Sequence, residues 1–400
     1  MTTLKPDTVL TRMAGVEISL DSTFGVRVGV NGLSEIYLEH SLAILDVFAR
    51  PVSVRAAVAR LNAYGHQDWI DLTGSINKLY NAGVLIEPAG RFTPGAKVRG
   101  FEAPAVHISL LNDRVRTEAF LRAIAETIEP GDVVVDIGTG TGILAVAAAR
   151  AGAAQVYAIE AGAMADAAEA VFQASDVSDR LTLIRGWSTR VELPQRANVL
   201  ISEVIGSDPF QERVLQTTAD ARRRLLTPEA RLIPSKVRVF GLAVTVPADK
   251  LADVSFTAES AERWRQWYGV DFTSLTSLGQ NSASRSLRVS AHQAAQWPMI
   301  SEPILLAEID LKAFQETTIE RVVSACLASA GVFNGLLMFF ELEVGSLTIT
   351  SHPLKTSPAN SWSNPFWLFR DTRAAHSGDR FTLQYNYNTR GNNSEVRLVE

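Results

Sequence analysis

The chain has 400 residues, 46% hydrophobic and 20% charged, with a formal net charge of −5. That is ordinary for a folded protein of about two or three domains, and the acidic balance disfavours nucleic acid as a partner. Cys326, the only cysteine, excludes an internal disulfide and a multi-cysteine zinc site, and no metal is expected. No apolar run approaches the roughly 18 residues of a membrane span. The start, MTTLKPDTVLTRMAG, has no long apolar core of the kind found in a signal peptide. A cytoplasmic protein without a membrane partner is expected.

Residues 15–87 read as a small separate domain. Alternating segments at 24–30 and 35–39 flank Asn31 and Gly32, a strong hairpin signal. Helical stretches follow at 42–49, 52–63 and 68–81, with Pro51 near the start of the second and Gly83 past the third. Residues 84–87 read as a short strand. This β-β-α-α-α-β order resembles a PqqD-like winged helix, a module that in some peptide-maturation enzymes binds a leader peptide along a strand edge. A plain packing or dimer-contact role is at least as well supported. Residues 88–104 read as a linker. The expected domains are 1–100, 101–234 and 235–400.

Residues 107–128 form helix and lead into the stretch around which the chain is organised, VVVDIGTGTGILAVAAARAGAAQVYAIE at 133–160. Val133 to Val135 is apolar, as in a strand buried on both faces, and Asp136 is expected to end it. Gly138, Gly140 and Gly142 then turn the chain into a helix over 143–151, and 155–159 is a second parallel strand tipped by Glu160. Such a turn lets backbone approach a ligand, and an acid ending the second strand is placed for ribose hydroxyls. A dinucleotide is the usual rival. Here the third glycine comes one residue early, and Asp136 would oppose a pyrophosphate. S-adenosylmethionine, with a sulfonium, an amino group and no phosphate, suits the site better.

A helix over 164–174 and strands over 181–185 and 198–202 follow, the last carrying SEVIGSDPFQE into the same crevice as the glycine turn. Past Pro234 the segments 237–246, 303–309, 332–347 and 380–387 are β-rich, as in a barrel or sandwich. A polar helical insertion at 249–278 carries Trp264, Trp267 and Tyr268.

HISLLNDRVRTEAF, the glycine stretch, SEVIGSDPFQE, WYGVDFTSL and SPANSWSNPFWLF occur in this order over roughly residues 105–400. In order and approximate spacing they resemble the protein arginine methyltransferases. Glu203 and Glu212, nine residues apart, look like that family's double-glutamate loop. Two carboxylates suit a guanidinium, which is planar, always charged and poorly nucleophilic. They clamp it by paired charge-assisted hydrogen bonds, orient one nitrogen, and offset developing charge.

The resemblance implies a Rossmann-like α/β class I methyltransferase domain, a β-barrel with a dimerisation arm at 249–278, and a homodimer. It implies that Glu203 and Glu212 are catalytic. It also implies that Arg116 pairs with the cofactor carboxylate, Glu160 with its ribose, and Asp136 and His107 with its amino acid end. Leu110 and Val214 stand where the family commonly has methionines lining the acceptor pocket, and Trp362 keeps the tryptophan of its Thr-His-Trp loop. Departures accompany these. Asn360 and Ser361 replace the threonine and histidine, so Asp113 loses its usual partner. Ser188 or Thr189 stands where an acid meets adenine, Val204 and Ile205 replace Trp-Met, and Lys97 and Phe101 replace a tyrosine pair. The expectation is methylation of free L-arginine or a small guanidine. The alternatives are an arginine in a peptide, with the N-terminal domain binding the peptide, and a non-catalytic scaffold.

Overall fold

A computed structural model describes residues 4–13, 16–20, 26–30, 33–37, 40–61, 66–81, 83–87, 104–278, 286–388 and 393–399. The chain forms two compact units, Met1–Val106 and His107–Glu400.

In the first unit, Val9–Arg12 is the centre of a three-stranded antiparallel sheet between Val52–Ser53 and Leu85–Ile86. Its Leu10 is buried with Ile44, Phe48, Ala57, Ile76 and Leu79, contributed by the helices Ser41–Val47, Val54–Arg60 and His66–Asn81 and their ends. A second antiparallel sheet pairs Glu17–Leu20, Val26–Val30 and Leu33–Tyr37. The expected hairpin is seen in its pairing, Val30 opposite Leu33, while Asn31 and Gly32 lie outside the described residues. Three strands were not expected: Val9–Arg12, Glu17–Leu20 and Val52–Ser53. The second helix starts at Val54, not 52, because Ser53 Oγ caps it by accepting the Ala56 amide at 3.3 Å. The linker at 88–104, Lys97 and Phe101 included, lies outside the described residues except for Pro104.

The second unit is built on a five-stranded parallel sheet in the order Leu226–Ile233, Ala197–Ile201, Val133–Ile137, Gln155–Glu160, Leu181–Arg185. Val134, Val135, Ala158, Val199 and Ile201 are buried, which is why these strands read as unbroken apolar runs. The central strand continues through Asp136 to Ile137, one step past the expected end. The sheet grows to one side of Val133–Ile137 and then to the other. Its topological switch point lies between that strand and Ala197–Ile201, with Asp136 in register with Ile201. The glycine turn and the glutamate loop both leave from there. Residues 107–128 are two helices, Pro104–Asn112 and Arg114–Thr127, broken where Asp113 caps the second.

The C-terminal region is antiparallel, as expected, but among the described residues it does not close as a barrel. One sheet runs Leu287–Ser290, Ser363–Ala375, Gly331–Val344, Lys236–Val244, Ile304–Asp310, with Leu347–Thr350 paired to Gly331–Val344. A three-stranded sheet of Ile319–Cys326, Arg380–Asn388 and Asn393–Val399 accompanies it. The first sheet ends in strands paired on one side only, so the ladder stays open. One apolar cluster joins Val135 and Ile201 of the parallel sheet to Phe340, Trp367 and Tyr385 of these strands. The boundary expected at 234/235 therefore falls inside a shared core. The insertion is helical at Ala248–Val254 and Ala258–Tyr268.

Candidate active site

The glycine turn is a cradle in which side chains have no room. Gly138, Gly140 and Gly142 all have positive φ, and a Cβ on Gly138 would meet Val204 Cγ1 at 2.6 Å. One on Gly140 would lie 3.1 Å from His107 Cε1, and one on Gly142 only 2.5 Å from Phe172. Glu160 holds the turn: Oε2 accepts the Gly140 amide at 3.0 Å and Oε1 the Gly162 amide at 2.7 Å. Each carboxylate oxygen keeps a lone pair for a further donor. Asp136 is buried and accepts from Thr139 Oγ1 at 2.6 Å. Burial, with Glu160 adding to it, pushes its carboxyl up to about 7 despite the Thr139 bond. A close backbone cradle, two acids and no side-chain cation in the turn fit an adenosyl sulfonium with an amino group and disfavour a pyrophosphate.

Across the crevice, Arg116 is buried, not paired on the helix surface; Arg114 makes that pair, with Glu118 at 2.6 Å. Arg116 Nη1 lies 3.2 Å from Glu203 Oε1 and 3.5 Å from Ser361 Oγ, and Nη2 donates to the Leu110 carbonyl at 3.1 Å. Its guanidinium stands 5.7 Å from the Trp362 ring centroid. A guanidinium has more donors than these contacts use, so a cofactor carboxylate remains compatible with Arg116. Without the family's histidine, Asp113 takes Ser361 as its partner. Asp113 Oδ2 accepts both the Ser361 amide at 2.9 Å and the Ser361 hydroxyl at 3.0 Å. A short hydroxyl and a backbone N–H together satisfy this carboxylate oxygen. Asn360 is spent within its own loop, donating to the Trp362 carbonyl at 2.9 Å and accepting its amide at 3.3 Å. Ser361 therefore faces Arg116.

The two glutamates come together. The Glu203 side chain is 13% exposed. Burial raises its carboxyl to about 7; Arg116 opposes that and the charges of Asp113 and Asp136 add to it. Burial and then the Glu203 charge raise Glu212 to about 8, against Arg116 and Arg288. Glu212 Oε1 is buried without a hydrogen-bond partner among the described residues. Gly206 makes the room for it, since a Cβ there would lie 2.9 Å from that oxygen. Two half-buried acids, one with a buried acceptor that lacks a partner among the described residues, form a receptor for a rigid, donor-only cation.

The loop carrying them is fastened at several points. Trp362 Nε1 donates to the Ile205 carbonyl at 2.9 Å, and the Ser363 amide to Ser207 Oγ at 3.0 Å. Asp208 is buried; its Oδ2 accepts the Ser394 amide at 2.7 Å and its Oδ1 the Ser394 hydroxyl at 3.0 Å. Tyr387 donates to the Phe210 carbonyl at 2.9 Å. Val214 is buried where the loop enters the helix Val214–Arg224, and Leu110 is half-buried. Ser188, half-buried, and Thr189, exposed, lie in the turn after Leu181–Arg185, where Ser188 offers its carbonyl to Arg224 at 2.6 Å. Gly206, Asp208, Arg288 and Ser394, and the bonding of Ser361, escaped sequence reasoning. Only Gly206 and Asp208, lying between the two glutamates, carried a local signal.

A five-stranded parallel sheet with a glycine cradle and an acid-tipped second strand defines an S-adenosylmethionine-dependent methyltransferase of class I. Residues 115–269 match the family profile described as Ribosomal protein L11 methyltransferase (PrmA). The chain is 31% identical over 287 residues to a probable protein arginine N-methyltransferase 6.1 of Oryza sativa subsp. japonica, covering 70% of this chain and 69% of that protein. It is 30% identical over 277 residues to the Arginine N(omega)-methyltransferase of Streptomyces achromogenes subsp. streptozoticus, covering 67% and 72%. The solved Trypanosoma brucei PRMT1 enzyme-prozyme heterotetrameric complex with AdoHcy superposes with a TM-score of 0.63 at 21% identity, over 74% of this chain and 93% of that one. The chain belongs to the protein arginine methyltransferase family. It is an arginine N-methyltransferase that uses S-adenosylmethionine.

Proposed function

We propose that the acceptor is free L-arginine or a related small guanidine, held by Glu203 and Glu212. The orphaned Oε1 of Glu212 beside Glu203 carries this reading of the clamp. The Streptomyces relative's name supports the small acceptor. When bound, S-adenosylmethionine supplies a methyl group on a sulfonium. In this reading Gly138, Gly140 and Gly142 cradle it, Glu160 accepts from its ribose, Arg116 meets its carboxylate, Asp136 and His107 border its amino acid end, and Ser188 and Thr189 lie towards adenine. The arriving guanidinium is a permanent cation, so it draws both glutamates into the ionised form. They then fix its plane, aim one nitrogen and spread its charge towards the others. A glutamate whose proton affinity is raised by burial is also suited to take the product proton.

A second reading, methylation of an arginine within a peptide, draws on the first unit. The strands Glu17–Leu20 and Leu33–Tyr37 are sheet edges there, the kind of element that captures an extended peptide. A cytoplasmic homodimer completes the proposal; no described helix is long and apolar enough to cross a membrane. Mass spectrometry with isotope-labelled cofactor, free arginine and an arginine-containing peptide mixture tests it. Label in methylarginine is expected, and label confined to peptides overturns the small acceptor.

A further inference from the structure

We infer that Arg288 provides a second subsite at the acceptor pocket, one that takes the α-carboxylate of a free amino acid. The inference rests on the small-acceptor reading above. Arg288 is exposed on the edge strand Leu287–Ser290, which pairs with the start of Ser363–Ala375, Arg288 opposite Pro365 and Ser290 opposite Ser363. That register brings Ser290, two residues on, to the end of the Asn360, Ser361 and Trp362 loop, where Ser361 touches Arg116 and Asp113, and leaves Arg288 on the strand that leads away from it. On the other side, Arg288 Nη2 donates to Gln211 Oε1, and Gln211 immediately precedes Glu212. This guanidinium is thus tied to the glutamate loop and carried on the strand paired with the one that follows the Ser361 loop. Its charge also bears on Glu212 and Asp208, although among the described residues no carboxylate lies within ion-pairing distance of it.

A cation at the rim of a pocket built for a cation is unfavourable by itself. It repels the incoming guanidinium and weakens the carboxylates meant to hold it. The arrangement makes sense when the acceptor brings its own anion. Free arginine carries a carboxylate at the far end of its side chain from the guanidinium, whereas an arginine within a peptide has given that carboxylate up to an amide. An arginine fork, steadied by Gln211, matches a carboxylate with two parallel hydrogen bonds. The clamp then reads one end of the molecule and Arg288 the other.

The test is steady-state methyl transfer by the full chain with L-arginine and with agmatine, which has the same guanidinium and no carboxylate. Wild type, Arg288→Lys and Arg288→Met are compared, with S-adenosylhomocysteine affinity as a check on the fold. Wild type should prefer arginine by at least about tenfold in kcat/KM, the scale of one charge-assisted pair. Arg288→Met should erase that preference by raising KM for arginine, and Arg288→Lys should keep part of it. Equal losses on both acceptors, or no preference in wild type, overturn the subsite and leave the small-guanidine reading standing. Methylation of peptides with neither small acceptor overturns both.

Discussion

Glu212 is poised between two demands, and that makes it the most informative residue to change. Its carboxyl lies at about 8 and that of Glu203 at about 7, both far above the usual glutamate value. Between the ordinary carboxylate range and pH 8 the folded chain therefore binds more protons here than the unfolded chain. Stability from these groups is fully present below the ordinary glutamate value and is lost progressively as pH rises from there to about 8. Glu212→Gln keeps the shape and removes that titration. At pH 8 the ligand-free variant should be more stable than wild type by about 1–3 kcal/mol in denaturant unfolding, with the gap narrowing as pH falls and closing near the ordinary glutamate value of about 4.5. The same variant should lose methyl transfer by orders of magnitude, because its NH₂ faces a group that only donates. Glu203→Gln should do likewise, and the double variant should cost little more than either single one. An unchanged pH slope, or near wild-type turnover, would contradict the clamp. The pair was legible in sequence because its chemistry sits on one loop. Ser361 was not: replacing a histidine by a serine says nothing of the backbone N–H that arrives with it.

At the scale of elements, the glutamate loop is only as rigid as its fastenings, and the firmest comes from the far end of the chain. Asp208 grips Ser394 through both the amide and the hydroxyl, at 2.7 and 3.0 Å. Asp208→Asn keeps the volume but turns an NH₂ towards one of those donors. Turnover should fall about tenfold or more, since small displacements of positioned groups are costly. S-adenosylhomocysteine affinity, measured by calorimetry, should stay within about twofold, because the glycine cradle is anchored elsewhere. A loss of cofactor binding as large as the loss of turnover would show general unfolding rather than loop positioning. The parallel strands and the glycine turn were legible because burial on both faces writes itself as an apolar run. The sheet-edge strand Leu226–Ile233, LTPEARLI, was not expected: two consecutive residues in its middle are exposed and a proline stands near its start. Asp113 looked like a residue inside one helix; only the cap at Arg116 reveals the break. The strand pairings of the C-terminal sheets depend on contacts far apart in sequence, which no local pattern encodes.

At the scale of the molecule, the helical insertion divides its aromatics between two tasks. Trp264 lies edge-on between Phe256 and Phe272, with ring centroids 5.7 and 5.9 Å away, and so packs the arm against itself. Trp267 and Tyr268 meet each other at 6.0 Å and remain 62% and 65% exposed. Of the three aromatics carried by the expected dimerisation arm, the structure leaves those two exposed. Exposed Trp and Tyr side by side on a helix are the residue types that dominate buried interface centres. Sedimentation at micromolar concentration should show a homodimer. Trp267→Ala with Tyr268→Ala should weaken it by about 2–4 kcal/mol, the range for lost hot-spot aromatics, moving the dissociation constant by roughly 30- to 1,000-fold. Because neither side chain is buried in the arm's own core, the monomer should keep its fold and its melting temperature. Trp264→Ala is the contrasting variant: it should destabilise the arm itself. A wild-type chain that sediments as a monomer while fully active would show that these aromatics serve something other than self-association.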